Sequence, residues 1–272
     1  MLFRSGLYAA LLWCLCPLSP SRSQTPTFPK ADWEQKTPQE LGLDSTKLDQ
    51  VRDYLGGRGF VVRFGYMAYS WGDTSRRQDI ASAHKAINSY FVFKAMEEGR
   101  ITNLDDRVAD YASCLTNINS DLGYKDREIT FYHLANQISC YGVQESPGTA
   151  YDYSDYQMAL FVDVLDLDVF EGVDWQDVDS LVFGPQLTHV LQCQDDPTMI
   201  VFGVDDRPGR VGISVRDFAR FGLLFLNQGN WDGQQLLSQA HAIQAVTSPL
   251  SNNIPRTQGI SAEMCPGQRS EG

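Results

Sequence analysis

The chain has 272 residues, 43% hydrophobic and 21% charged, which is the composition of a globular protein and excludes collagen-like, wholly disordered and polytopic membrane architectures. Acids outnumber bases 34 to 22, so the net charge is −12. A surface that acidic repels phosphate backbones and anionic lipid, so neither nucleic acid nor a membrane surface is expected as a partner.

Residues 1–23 read as a secretory signal peptide. Arg4 gives a basic start, Leu7–Leu18 is apolar, and Pro20-Ser21-Arg22-Ser23 supplies small residues for cleavage. The apolar run is interrupted by Pro17 and falls short of the roughly 20 residues that span a bilayer. A stable membrane anchor is therefore not expected, and the chain is expected to be secreted or periplasmic. Cleavage would remove Cys14 and Cys16 and leave Cys114, Cys140, Cys193 and Cys265. An even count in an oxidising compartment predicts at least one disulfide, with three pairings open. The spacing of His and Cys offers no structural zinc site.

In chain order, Gln24–Thr37 reads as an extended lead-in. Thr37-Pro38-Gln39-Glu40 predicts a helix start, with the apolar positions running to Leu55 and a stop at Gly56-Gly57. Phe60–Phe64 and Tyr66–Trp71 predict a hairpin about Gly65. A long helix is predicted from Ser82 to Glu98, stopped by Gly99, and a short one over Thr130–Ser139 with Thr130 as N-cap. Further helices are predicted over Ser154–Asp166 and Ser214–Asn227. The acidic stretch Asp163–Asp179 lacks calcium-loop spacing and reads as a solvated face. Strands early and helices through the middle predict a mixed α+β class.

Two motifs carry chemistry. Ser82-Ala83-His84-Lys85 is a Ser-x-x-Lys at the start of the long helix. Residues three apart on a helix share a face, so Lys85 is expected near the Ser82 hydroxyl, and the helix start offers N–H groups to a developing oxyanion. The structural counterpart is a serine N-cap followed by a solvated lysine, although a lysine sits poorly at the positive end of a helix dipole. Tyr153-Ser154-Asp155 follows the turn Ser146-Pro147-Gly148-Thr149 and opens another helix; packing of Tyr153 on the core would need no chemistry.

With these motifs, Glu98-Gly99-Arg100-Ile101 through Val108, Ile129-Thr130 through Ser139, and Gly212–Gly222 make the chain resemble the serine β-lactamase and penicillin-binding-protein-like hydrolases. The likeness runs from about Trp33 to about Gly267 and is closest to the class C β-lactamase and esterase branch. It implies a largely antiparallel sheet flanked by helices beside a mostly helical region, and a β-lactamase-related hydrolase domain over 24–272. It implies Ser82 as acyl-accepting nucleophile, Lys85 as a group that helps deprotonate it, and Tyr153 as proton relay. A lysine serves so only where its surroundings lower its pKa. No cofactor and no metal are implied, and the partner is a small-molecule or peptide-like substrate.

Asp155 stands where that family has Asn. A carboxylate cannot donate an amide hydrogen bond, and it would favour a charged Lys85. The family's third motif, a basic or His residue before Thr-Gly or Gly-Gly on a strand, has only a faint echo in Arg256-Thr257-Gln258-Gly259. The expectation is that the chain stops before the last core strands, leaving the early hairpin with an open edge and the site short of its second oxyanion donor. The function expected is a serine hydrolase working through an acyl-enzyme on Ser82. The alternative is a catalytically inactive member that binds a ligand or partner.

Overall fold

The β-branched and aromatic runs on either side of Gly65 do form a hairpin. In the computed structural model, which describes residues 26–170, 176–201, 208–259 and 265, β1 (Gly59–Arg63) pairs antiparallel with β2 (Tyr66–Trp71), with a bulge between Val61 and Val62. Gly65 turns at φ 82°, and a Cβ there would run into the Thr27 carbonyl, because Thr27 N–H donates to Phe64 O across the turn. No residue but glycine fits that crossing. The other side of β2 is bridged by Gln35.

The helix expected from Thr37 starts later. Thr37 and Glu40 cap a local turn, and α1 (Ser45–Leu55) begins only where the Asp44 carboxylate accepts from Thr46 and Lys47 N–H. Pro38 and the left-handed Gly42 break the pattern before that point. The short strand β3 (Gln78–Asp79) then leads through a 3₁₀ turn, Ala81–His84, into α2 (Lys85–Glu97). Ile87, Tyr90, Phe91, Val92, Phe93 and Ala95 of α2 are all buried, so this helix is enclosed on nearly every side.

Thr130 caps α3 (Phe131–Ala135) as expected, and His133 closes a capping box back onto Thr130 N–H. Ser154 caps α4 (Asp155–Asp163), which continues as a π-helical stretch, Val164–Val169. The solvated acidic face expected over Asp163–Asp179 forms only in part: Asp168 and Asp177 are exposed, whereas Asp163, at the end of α4, and Asp166, in the π-helical stretch, are buried. Residues 171–175 of this stretch lie outside the described residues. A second π-helical stretch covers Asp179–Thr188.

β4 (Thr198–Val201), β5 (Pro208–Ile213) and β3 form an antiparallel sheet in the order β3-β5-β4. Ser214 caps α5 (Val215–Leu226), which packs on β1. The small hairpin of β6 (Asn230–Trp231) and β7 (Gln234–Gln235) and the helix α6 (Gln239–Ala245) follow. Buried apolar side chains from Trp33 to Cys265 form one connected core centred on α2. Cys114 and Cys265 are joined by a disulfide, the pairing that sequence left open, while Cys140 and Cys193 are free thiols. Residues 1–23, read from the sequence as a signal peptide, lie outside the described residues. No helix among the described residues is long and apolar enough to cross a membrane.

Candidate active site

The segment carrying Ser82 is fixed from behind. The Asp79 carboxylate accepts from Ala81 N–H at 2.7 Å and from Arg210 Nη1 on β5 at 2.9 Å, which pins the end of β3 to the central strand. Ala81 holds φ 46°, a left-handed conformation that costs energy in a residue with a Cβ. His84 is buried, and its Nδ1–H donates to Ala81 O at 2.6 Å, closing the turn around Ser82. Burial first, and the neighbouring Lys85 and Arg210 with it, push the His84 imidazole below its ordinary pKa against the pull of the Ala81 hydrogen bond.

Ser82 is not an N-cap: Ile80 precedes the turn, and no side chain caps it. The turn that carries Ser82 is 3₁₀ rather than α-helical, and residues three apart eclipse in such a turn, so Lys85 still lies on the side of Ser82. The Lys85 amine also reaches Tyr153, with Nζ 3.2 Å from the hydroxyl and 4.9 Å from the ring centre. The Tyr153 hydroxyl in turn lies 2.5 Å from Ser82 Oγ. Ser82, Lys85 and Tyr153 are thus brought together with the phenol in the middle.

Tyr153 is held by its neighbours in sequence. Asp152 N–H donates to Gln137 O at 2.8 Å, Tyr151 N–H donates to Pro255 O at 2.7 Å, and Ser154 caps α4. Between those anchors the phenol points outward, 51% exposed. The hydrogen bonds from Ser82, first, and Lys85 lower the Tyr153 pKa below its ordinary value, while the Asp155 charge works the other way. Asp155 occupies the first turn of α4 and is exposed, and it makes no ion pair with Lys85.

Arg256-Thr257-Gln258-Gly259 does not lie in a sheet beside Ser82. Thr257 N–H donates to Tyr151 O at 3.0 Å, and Gly259 approaches the Val143 side chain, so the segment walls a cleft beside Tyr153. That cleft, about 430 Å³, runs from Tyr153 and Asp155 to Tyr141 and Asp152. Among the described residues no three His, Cys, Asp or Glu side chains converge as a metal site. Sequence reading passed over Asp79, Arg210, His84 and Asp152. Only Asp79 carries a local signal, an aspartate two residues before a turn amide it can accept from.

No protein-family model matches the chain, and no curated protein sequence does. Solved structures do match. A protein named as a 6-aminohexanoate-dimer hydrolase from Bacillus anthracis aligns at TM-score 0.61 and 14% identity, over 81% of this chain and 69% of its own. A β-lactamase/D-alanine carboxypeptidase from Pseudomonas syringae gives 0.53 and 16%, over 75% and 68%. A class C β-lactamase from Rhodobacter sphaeroides gives 0.50 and 19%, over 73% and 68%. The fold is that of these β-lactamase-like hydrolase structures. The α+β architecture read from the sequence is borne out, and the chain spans about two thirds of the length of these structures.

Proposed function

We propose that the chain is a secreted or periplasmic serine hydrolase that forms an acyl-enzyme on Ser82, with a leader over 1–23 and the hydrolase domain over 24–272. The observation that carries this reading is the Ser82–Tyr153–Lys85 chain of contacts, at 2.5 and 3.2 Å, in a fold shared with serine hydrolases. Tyr153 as phenolate takes the Ser82 proton as Oγ attacks an ester or amide carbonyl, then gives that proton to the departing alcohol or amine. The Lys85 ammonium stabilises the phenolate. In the second half, water attacks the acyl carbon, Tyr153 accepts its proton, and Ser82 is released by taking that proton back. The substrate is a small molecule or a peptide-like compound. The Cys114–Cys265 disulfide supports export to an oxidising compartment.

A second reading, a ligand-binding protein without turnover, is favoured by Asp155 and by the Arg256-Thr257-Gln258-Gly259 segment, which bridges to Tyr151 and does not form the strand that would bring a second oxyanion donor to Ser82. One such donor is worth about 100- to 1,000-fold in rate. A fluorophosphonate probe with intact-mass and peptide analysis separates the two. The hydrolase reading expects one adduct, on Ser82, absent from Ser82→Ala. An unlabelled wild-type protein, or a label that persists in Ser82→Ala, sinks it. For export, N-terminal sequencing of secreted material should begin at Gln24, and an intact Met1 there would overturn the leader.

A further inference from the structure

The cleft beside Tyr153 carries charge that the proposed chemistry does not use. Its lining includes four tyrosines, the acids Asp152 and Asp155, and one base, Arg256. Asp152 is more than nine-tenths buried; its Oδ1 accepts from Thr257 Oγ1 at 3.3 Å, while Oδ2 meets no donor among the described residues. A buried carboxylate oxygen left without a donor is costly, and native proteins rarely leave one unless something else binds there.

The surrounding charges say what would bind. Burial first raises the Asp152 pKa, against the Thr257 hydrogen bond and the Lys125 charge and with the nearby Glu145 charge adding to it, so an ionised Asp152 is costly there without a positive partner. Lys125 cannot serve as that partner, since its Nζ is engaged at 2.6 Å by Asp126 and at 2.7 Å by Cys140 O. Arg256 lines the cleft from its exposed side, its guanidinium 5.7 Å from the Tyr151 ring centre, and Lys85 Nζ lies 4.9 Å from that of Tyr153, so these two ring faces already carry cations. Against Arg256 stand the two acids, Asp152 inside and Asp155 at the mouth, in a chain of net charge −12 that concentrates cations.

We infer that this cleft is a subsite for a positively charged group of the substrate, an ammonium or guanidinium, held by Asp152 with Asp155. The inference rests on the proposed function for its place beside the nucleophile, because Tyr153 is both a wall of the cleft and the partner of Ser82. It also accounts for a carboxylate at position 155, since an asparagine there would bring no charge to attract a cation.

The test is direct binding to the full chain by calorimetry, with n-hexylammonium as probe and n-hexanol and hexanoate as neutral and anionic counterparts. The expected result is binding of n-hexylammonium at least about tenfold tighter than of either counterpart, the worth of one charge-assisted hydrogen bond. Asp152→Asn and Asp155→Asn should each erode that preference, and Ser82→Ala should keep it. Should Asp152→Asn fail to fold, Asp155→Asn alone decides. Equal binding of the three probes to the wild type, or an unchanged preference in the Asp variants that fold, overturns the subsite. The two readings fail separately. A protein labelled on Ser82 that binds the three probes equally loses only the subsite, and an unlabelled protein that prefers n-hexylammonium loses only the hydrolase.

Discussion

The Tyr153 hydroxyl stands between Ser82 Oγ and Lys85 Nζ, 2.5 Å from the first and 3.2 Å from the second, so in the proposed mechanism the lysine acts on the serine through the phenol. This order fixes which group a pH profile reports. Phenolate is the basic form, and the neighbouring cation favours it. The rate of Ser82 labelling should therefore rise with pH through the Tyr153 pKa, which lies below its ordinary value. Tyr153→Phe should lose that rise and about 100- to 10,000-fold in rate, the range of a general base. Lys85→Ala should keep a rise but move it to higher pH. Identical profiles for wild type and Lys85→Ala would remove the lysine from the relay.

Asp155 works against the lysine at the same phenol. Its charge raises the Tyr153 pKa without an ion pair to Lys85. Asp155→Asn should therefore move the alkaline rise in labelling to lower pH, with little change in folding stability. A shift upward, or none, would mean that the carboxylate is electrostatically remote from Tyr153.

What could be read from the sequence follows the range of the interactions involved. The hairpin about Gly65, α2, the Thr130 cap and α5 behind Ser214 are local patterns of residue type and spacing, and they form where they were expected. Relations between distant residues were not readable in this way. Ser82 and Tyr153 are 71 residues apart, so local spacing could set Lys85 near Ser82 but could not place the phenol between them. Asp166 carries a surface composition into the interior, where a π-helical turn departs from the 3.6-residue pattern. The disulfide could be counted but not paired, because a pairing is a tertiary contact.

That pairing has a measurable consequence. Cys114–Cys265 closes a loop of sequence separation 151. Removing such a link should cost about 2–5 kcal/mol. Cys114→Ser should lower the urea midpoint, and dithiothreitol should lower the wild type to match while leaving Cys114→Ser unchanged. Burial pushes both the Cys140 and Cys193 thiols up, so iodoacetamide should reach neither in the folded protein at neutral pH. Equal urea midpoints with and without reductant would argue that the bond adds nothing to the native state.

Arg220 and Asp217 test the fold at its most exacting point. Both side chains are fully buried, with Nε and Oδ1 at 3.6 Å, on the inner side of α5. Arg220 Nη1 also donates to Lys30 O and Leu191 O, each at 2.9 Å, tying the lead-in and the segment before β4 to α5. Asp217 accepts from Gln194 N–H at 2.8 Å and Asp195 N–H at 2.7 Å. Removing one member leaves the other buried and uncompensated, a loss of about 3–5 kcal/mol. Arg220→Ala should therefore unfold at markedly lower urea. Arg220→Met paired with Asp217→Leu removes the orphaned charge and should recover part of the loss, but not the backbone ties that Arg220 supplies. Limited proteolysis should then cut the lead-in around Pro29–Ala31 faster in both variants than in the wild type. A loss under about 1 kcal/mol in Arg220→Ala, the size of a surface pair, would show that the guanidinium contributes no more there than an exposed arginine does.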